Sequence, residues 1–239
     1  MSSALAYALI AALGNVVGAL AVVRRAAGSL RVIEHSVAFG AGFMLAVALV
    51  EILPQAFARS GGAAPALVLG GYLAVHLTQH TVTPHFHFGE ETHAVAGVAG
   101  TSALVGLLLH TFFDGVAIAS AFQVDRELGV LVFLAVVLHK VPEGVTMSSI
   151  GVASGWSGRR ALGASALLGA ATLVGVLVAD HVGFLVRHGL ALAGGVTLYV
   201  AASNLVPEFQ GKPGWRLPVA FFAGAAVFFV AKMLLDAWT

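Results

Sequence analysis

Apolar stretches of about 20 residues, each long enough to cross roughly 30 Å of hydrocarbon as a helix, recur along this chain. They fall near 4–23, 32–53, 63–80, 98–122, 128–152, 160–179, 185–206 and 217–236. So little chain lies between them that no sizeable extramembrane domain fits, and in lipid the backbone of such segments is satisfied within helices. Composition agrees: 59% of residues are hydrophobic, 10% are charged and the mean hydropathy is +0.96. Soluble domains average roughly 45–50% apolar and 25% charged. The expected fold class is therefore all-α, a polytopic membrane protein of eight transmembrane helices forming a single transmembrane domain over 1–239.

Basic residues set an expected orientation. Arg24, Arg25, Arg31, Arg159, Arg160, Lys212 and Arg216 fall in the connections after the first, fifth and seventh spans, against Arg59, Arg126 and Arg187 on the other side. The positive-inside bias places both termini outside a cell membrane, plasma or inner. The first span has no basic residue ahead of it and is followed by Arg24 and Arg25, so it reads as a mature span rather than a signal peptide. The chain has no cysteine, which removes disulfides and thiolate ligands. A net charge of +1 with dispersed basic residues speaks against nucleic acid as a partner. The bilayer is the partner implied, and a homodimer is left open.

Against this apolar background the polar residues are informative. The fourth span carries His110-Thr-Phe-Phe-Asp114-Gly115 and the fifth His139-Lys-Val-Pro-Glu143-Gly144. Residues at i and i+4 share a helix face, so each segment presents an imidazole and a carboxylate in one direction. Asp114, Lys140 and Glu143 together cost about 8–10 kcal/mol at membrane depth, at roughly 2.5–3.5 each. A divalent cation held by carboxylate and imidazole offsets that cost, and these ligands suit Zn²⁺ at roughly 2.0–2.2 Å. Pro142 cannot donate to the Leu138 carbonyl, so a kink and a carbonyl freed toward the site are expected in the fifth span.

Spans two and seven end alike. Glu51-Ile-Leu-Pro54-Gln55 closes one and Asn204-Leu-Val-Pro207-Glu208 the other, with Gly42 and Gly195 each twelve residues before the proline. Since the two spans run in opposite directions under the topology above, the expected layout is a 3+2+3 bundle of inverted repeats, spans 1–3 against 6–8. Glu51 lies seven residues from Met44, about two turns, and on a regular helix shares its face. It is a candidate pathway residue, as are its counterparts Asn204 and Glu208.

These motifs resemble the paired metal-binding motifs of the ZIP (Zrt- and Irt-like) divalent metal transporters, and the eight spans, outside termini and His-rich loop resemble that family over the whole chain. The resemblance implies movement of Zn²⁺, or of Cd²⁺, Fe²⁺ or Mn²⁺, toward the cytosol, with no cofactor. It implies a transport site of Met44, His110, Asp114 and Glu143, with His139 one turn from Glu143 as a further ligand. Binuclear family members place Asn and an acid where this chain has Thr111 and Lys140, and a further carboxylate on the sixth span, where Ala161-Leu-Gly-Ala-Ser-Ala-Leu-Leu has none. An ammonium about 5 Å from a dication is repelled by roughly 6–7 kcal/mol at an effective dielectric near 20. A single-metal site with Lys140 as a tuning counter-charge is therefore expected.

The connection between spans three and four, 81–97 with the end of span three, holds His76, His80, His85, His87 and His93 with Glu90 and Glu91. It is expected to be a cytosolic loop that takes up or senses metal. His181 and His188, between spans six and seven, read as ordinary interfacial histidines. Two other functions use the same ligands. An intramembrane zinc hydrolase would keep an open position for water, but no His-Glu-x-x-His motif occurs. A metal/proton efflux carrier differs in flux direction. ATP-driven pumping lacks a phosphate loop.

Overall fold

The computed structural model describes residues 3–24, 30–81 and 99–237. Within them the chain forms α1 (Ser3–Val23), α2 (Leu30–Val47), α3 (Leu53–Ser60), α4 (Ala64–Thr81), α5 (Ala99–Phe122), α6 (Arg126–Ala153), α7 (Gly158–His181), α8 (Gly183–Tyr199), α9 (Pro207–Gln210) and α10 (Arg216–Asp236). No strand occurs among the described residues. The fold is all-α and polytopic: seven described segments are long and apolar enough to cross a membrane. One of these, Val37–Gln79, is 43 residues long, roughly twice what a bilayer needs. It turns at Gly61, whose φ of +54° favours glycine.

Large apolar side chains such as Leu9, Leu13, Phe222 and Met233 are exposed, as they are on a surface solvated by lipid. Turns carry the polar caps instead. Asp125 accepts from the Leu128 amide at 2.7 Å to start α6, and Ser157 accepts from Arg160 to start α7.

Two prolines reshape helices in the same way. Pro54 and Pro207 cannot donate to the preceding turn, and each follows a π-helical turn, Ala48–Ile52 and Val200–Leu205. There the Leu53 amide reaches the Ala48 carbonyl and the Val206 amide reaches that of Ala201. Because the wider turn absorbs the proline, the helix begun as α2 runs on through α3 to Ser60 instead of ending near 53 as the sequence suggested. The Leu138 carbonyl, which Pro142 cannot serve, lies beside Gly40 of α2 rather than opening a gap in α6, which stays helical from Arg126 to Ala153.

Four helix pairs touch backbone to backbone at reciprocal glycines. The Val141 carbonyl stands where a Cβ on Gly18 would be, and the Asn15 carbonyl where one on Gly144 would be, joining α1 to α6. Gly115 and Gly175 do the same against Thr172 and Phe112 between α5 and α7. Gly42 and Gly224 meet Phe221 and Phe39 between α2 and α10, and Gly71 and Gly195 meet Leu192 and Val68 between α4 and α8. Exchanging α1 with α7, α2 with α8, α4 with α10 and α5 with α6 converts each crossing into its partner. Helix α3 ends where α8 begins, since His188 Nδ1 lies 3.0 Å from Ser60 Oγ and Ser60 Oγ donates to the Arg187 carbonyl at 3.5 Å. The equivalent helices α2 and α8 therefore run oppositely, the relation of inverted repeats. At the centre is α6, 72% buried over its span against 17% for α10.

Candidate metal centre

The exchange that relates the two halves also superposes the two polar motifs, setting Asp114 against Glu143 and His110 against His139. Their helices face one another at the middle of the bundle. One ligand atom from each of His110, Asp114, His139 and Glu143 lies within 4.8 Å of the others, and all four residues are buried. His139 Nε2 is 3.3 Å from Asp114 Oδ2 and 4.0 Å from Glu143 Oε2, and His110 Nε2 is 3.5 Å from Asp114 Oδ2. The imidazole rings are 5.4 Å apart.

Hydrogen bonding leaves ligand capacity unspent. His139 donates its Nδ1 proton to the Ala135 carbonyl at 3.0 Å, which fixes the ring with Nε2 3.3 Å from Asp114 Oδ2, within hydrogen-bonding distance. Glu143 Oε1 and His110 Nδ1 are buried without a hydrogen-bond partner. Each would cost free energy if left so.

Lys140 supplies the one neighbouring positive charge among these groups. Wholly buried, it reaches Asp114 Oδ2 at 2.7 Å and Glu143 Oε2 at 2.9 Å, and its stem lies against Gly14 of α1. It does not snorkel away. Thr111 is buried and shares its hydroxyl proton between the Leu107 and Leu108 carbonyls, each at 3.1 Å. On α7, where an acid was missing from the sequence, Ser165 bonds Ser148 at 3.0 Å and the Gly144 carbonyl at 3.5 Å.

The remaining candidates are not among these four residues. Met44 is buried in the apolar cluster with Phe43, Val47 and Ile52. Glu51 does not simply continue the Met44 face, because the π turn at Ala48–Ile52 intervenes and alters the angular register. Its carboxylate bonds Lys232 at 2.7 Å. Asn204 occupies the equivalent π turn and is half-buried, while the Glu208 side chain lies outside the described residues. His76 is exposed on α4, its ring 5.7 Å from that of Tyr199. The His80 side chain, and His85, His87 and His93 entirely, lie outside the described residues. His181 donates to the Leu177 carbonyl at 2.7 Å, and His188 meets Ser60.

Sequence reasoning overlooked Lys232 and Glu127. Lys232 Nζ lies 2.7 Å from Glu51, 3.2 Å from Glu127 and 3.8 Å from Asp236. The signal was available, since a lysine within the last apolar span needs a partner.

An all-α membrane bundle with a buried His₂(Asp)(Glu) cluster at its centre defines a class, the polytopic proteins that handle divalent metal within the membrane. Residues 88–232 match the family model described as ZIP Zinc transporter. The chain is 32% identical over 182 residues to Zinc transporter GufA of Myxococcus xanthus, covering 71% of this chain and 70% of that protein. It is 34% identical over 146 residues to Zinc transporter SLC39A7 of Rattus norvegicus, covering 61% of this chain but only 27% of that one. With Zinc transporter ZIP13 of Pongo abelii the identity is 24% over 202 residues, 77% of this chain and 61% of the relative. The chain belongs to the ZIP zinc transporter family, a family of transporters rather than of enzymes, and spans about a quarter of the length of its SLC39A7 relatives.

Proposed function

We propose that this protein carries divalent metal ions, zinc foremost, across a membrane toward the cytoplasm, through a single-metal site between α5 and α6. The observation that supports this most directly is the convergence of His110, Asp114, His139 and Glu143 within 4.8 Å in a buried, apolar bundle. Imidazole and carboxylate are zinc ligands, and the unpartnered Glu143 Oε1 and His110 Nδ1 leave ligand atoms available to a cation. Met44 is the proposed soft ligand from α2. We read the bundle as eight crossings, counting α2 with α3 as one and α4 as the next, with both termini outside and the 81–97 connection in the cytosol.

Lys140 limits the stoichiometry. A metal bound to the oxygen that accepts from its ammonium would lie within roughly 5 Å of Nζ, taking about 2.1 Å for the metal–oxygen bond. Repulsion over that distance, roughly 6–7 kcal/mol, rules against two dications beside a charged lysine and makes the first one easier to release. The hydrolase reading uses the same ligands, but the family is one of transporters; an efflux carrier differs in the direction of flux, which transport measurements read.

Uptake into proteoliposomes with Zn²⁺, Cd²⁺, Fe²⁺ and Mn²⁺ in turn tests this reading. Saturable uptake of zinc, lost on replacing Glu143 by Gln, is the expected result. Metal binding without any flux would overturn it.

A further inference from the structure

Lys232 stands out because α10 is the least enclosed of the described spans, 17% buried, yet this side chain turns inward to carboxylates on two other helices. Its bond to Glu51 joins α10 to α2, a pair already in backbone contact through Gly42 and Gly224. Its bond to Glu127 is different. Glu127 opens α6, which is paired through glycines with α1, so this contact crosses from one helix pair to another. A second crossing lies at the same end of the bundle, where Arg59 of α3 donates to the Ser120 carbonyl of α5 at 3.3 Å.

The repeat makes the other end a built-in comparison. The displacement along the chain that carries Gly42 to Gly195 and Gly71 to Gly224 also carries Glu51 to Asn204 and Gln79 to Lys232. The charged pair at one end thus corresponds to two amides at the other. An ion pair in a partly buried, low-dielectric setting is held more firmly than contacts between neutral side chains. At the Glu51 end, therefore, two charged pairs must part before α10 separates from the helices carrying Glu51 and Glu127.

We propose that Lys232 is an electrostatic latch closing the Glu51 end of the bundle, through Glu51 and Glu127. The inference rests on the transporter reading, in which the two ends are alternate mouths of one pathway to the buried cluster. In that setting the latch biases the resting protein toward closure at the Glu51 end, and opening there requires the Lys232–Glu127 pair to part.

The absence of cysteine provides the test. Ser120 is wholly buried at the latched end, so a single Ser120→Cys substitution in the full chain reports opening there by its rate of reaction with a polar maleimide in detergent. With Lys232→Gln or Glu127→Gln added, labelling should accelerate by about five-fold, the factor for a pair worth about 1 kcal/mol. Lys212→Gln should leave the rate unchanged, although it breaks an equally short pair, 2.8 Å to Glu34, near the start of α2 at the other end. Unchanged labelling in both latch variants would overturn the proposal. Equal acceleration by Lys212→Gln would also overturn it, as general loosening. If Lys232→Gln fails to fold, Glu127→Gln decides alone, because it leaves Lys232 paired with Glu51. The readout requires no flux, so faster labelling in a protein that carries no metal would keep the latch and sink the transporter reading instead.

Discussion

The ammonium of Lys140 lies 2.7 Å from Oδ2 of Asp114, the same oxygen that both imidazoles of the cluster face at 3.3 and 3.5 Å. A metal taken up by the proposed site would therefore compete with the lysine for one carboxylate. The lysine gives the two buried acids a cationic neighbour at membrane depth when no metal is bound.

Asp114→Asn and Glu143→Gln are each expected to reduce zinc uptake to background at matched membrane expression. Asp114→Asn also leaves the buried Lys140 with one charged partner instead of two, so it should lower thermal stability, by up to about 3–5 kcal/mol. Adding Lys140→Met should restore the unfolding temperature but not the flux. Uptake that recovers with stability would show that Asp114 serves the fold rather than the ion.

Replacing Lys140 by Asp removes the repulsion of roughly 6–7 kcal/mol and adds a carboxylate, so a second dication becomes bindable. Anomalous scattering from Cd²⁺ in crystals should show one strong peak in the parent protein and two in the variant. Two well-occupied ions in the parent would refute the charge argument.

Gly115→Ala and Gly144→Ala place a methyl group on the backbone of Thr172 and Asn15 respectively. Each should cost about 1–3 kcal/mol, read as a lower unfolding temperature in detergent. Gly70→Ala, with open space around it, should be neutral or slightly stabilising through the helix preference for alanine. Equal effects at all three positions would argue against close backbone contact.

Substituting His76, His80, His85, His87 and His93 together by Ala is expected to preserve the maximal uptake rate while changing its dependence on cytosolic metal. Initial rates measured with and without a chelator inside the vesicle check this. Complete loss of flux would place that connection on the pathway itself.

Much of the fold was legible because lipid imposes a simple code. Apolar length gave the helices, and i,i+4 spacing gave the faces on which His110 and Asp114, or His139 and Glu143, sit together. What escaped the reading is local or long-range. Pro54 reads as a helix end, yet a π turn lets the helix continue, and that same turn interrupts the regular face assumed for Met44 and Glu51. Lys232 needed the third dimension, since its partners lie on α2 and α6, far away in sequence. Lys140 was recognised as out of place, but only the structure sets its ammonium on both carboxylates.

The reciprocal glycines bear on how such a protein tolerates change. Where helices meet through backbone, there is no side chain to co-adapt with its neighbour, and lipid-facing positions need little more than to stay apolar. The specification of the bundle is thereby concentrated in eight small residues and a handful of polar ones. Most of the remaining sequence is free to drift without loss of architecture, which accounts physically for a relative that shares only 32% of aligned residues with this chain.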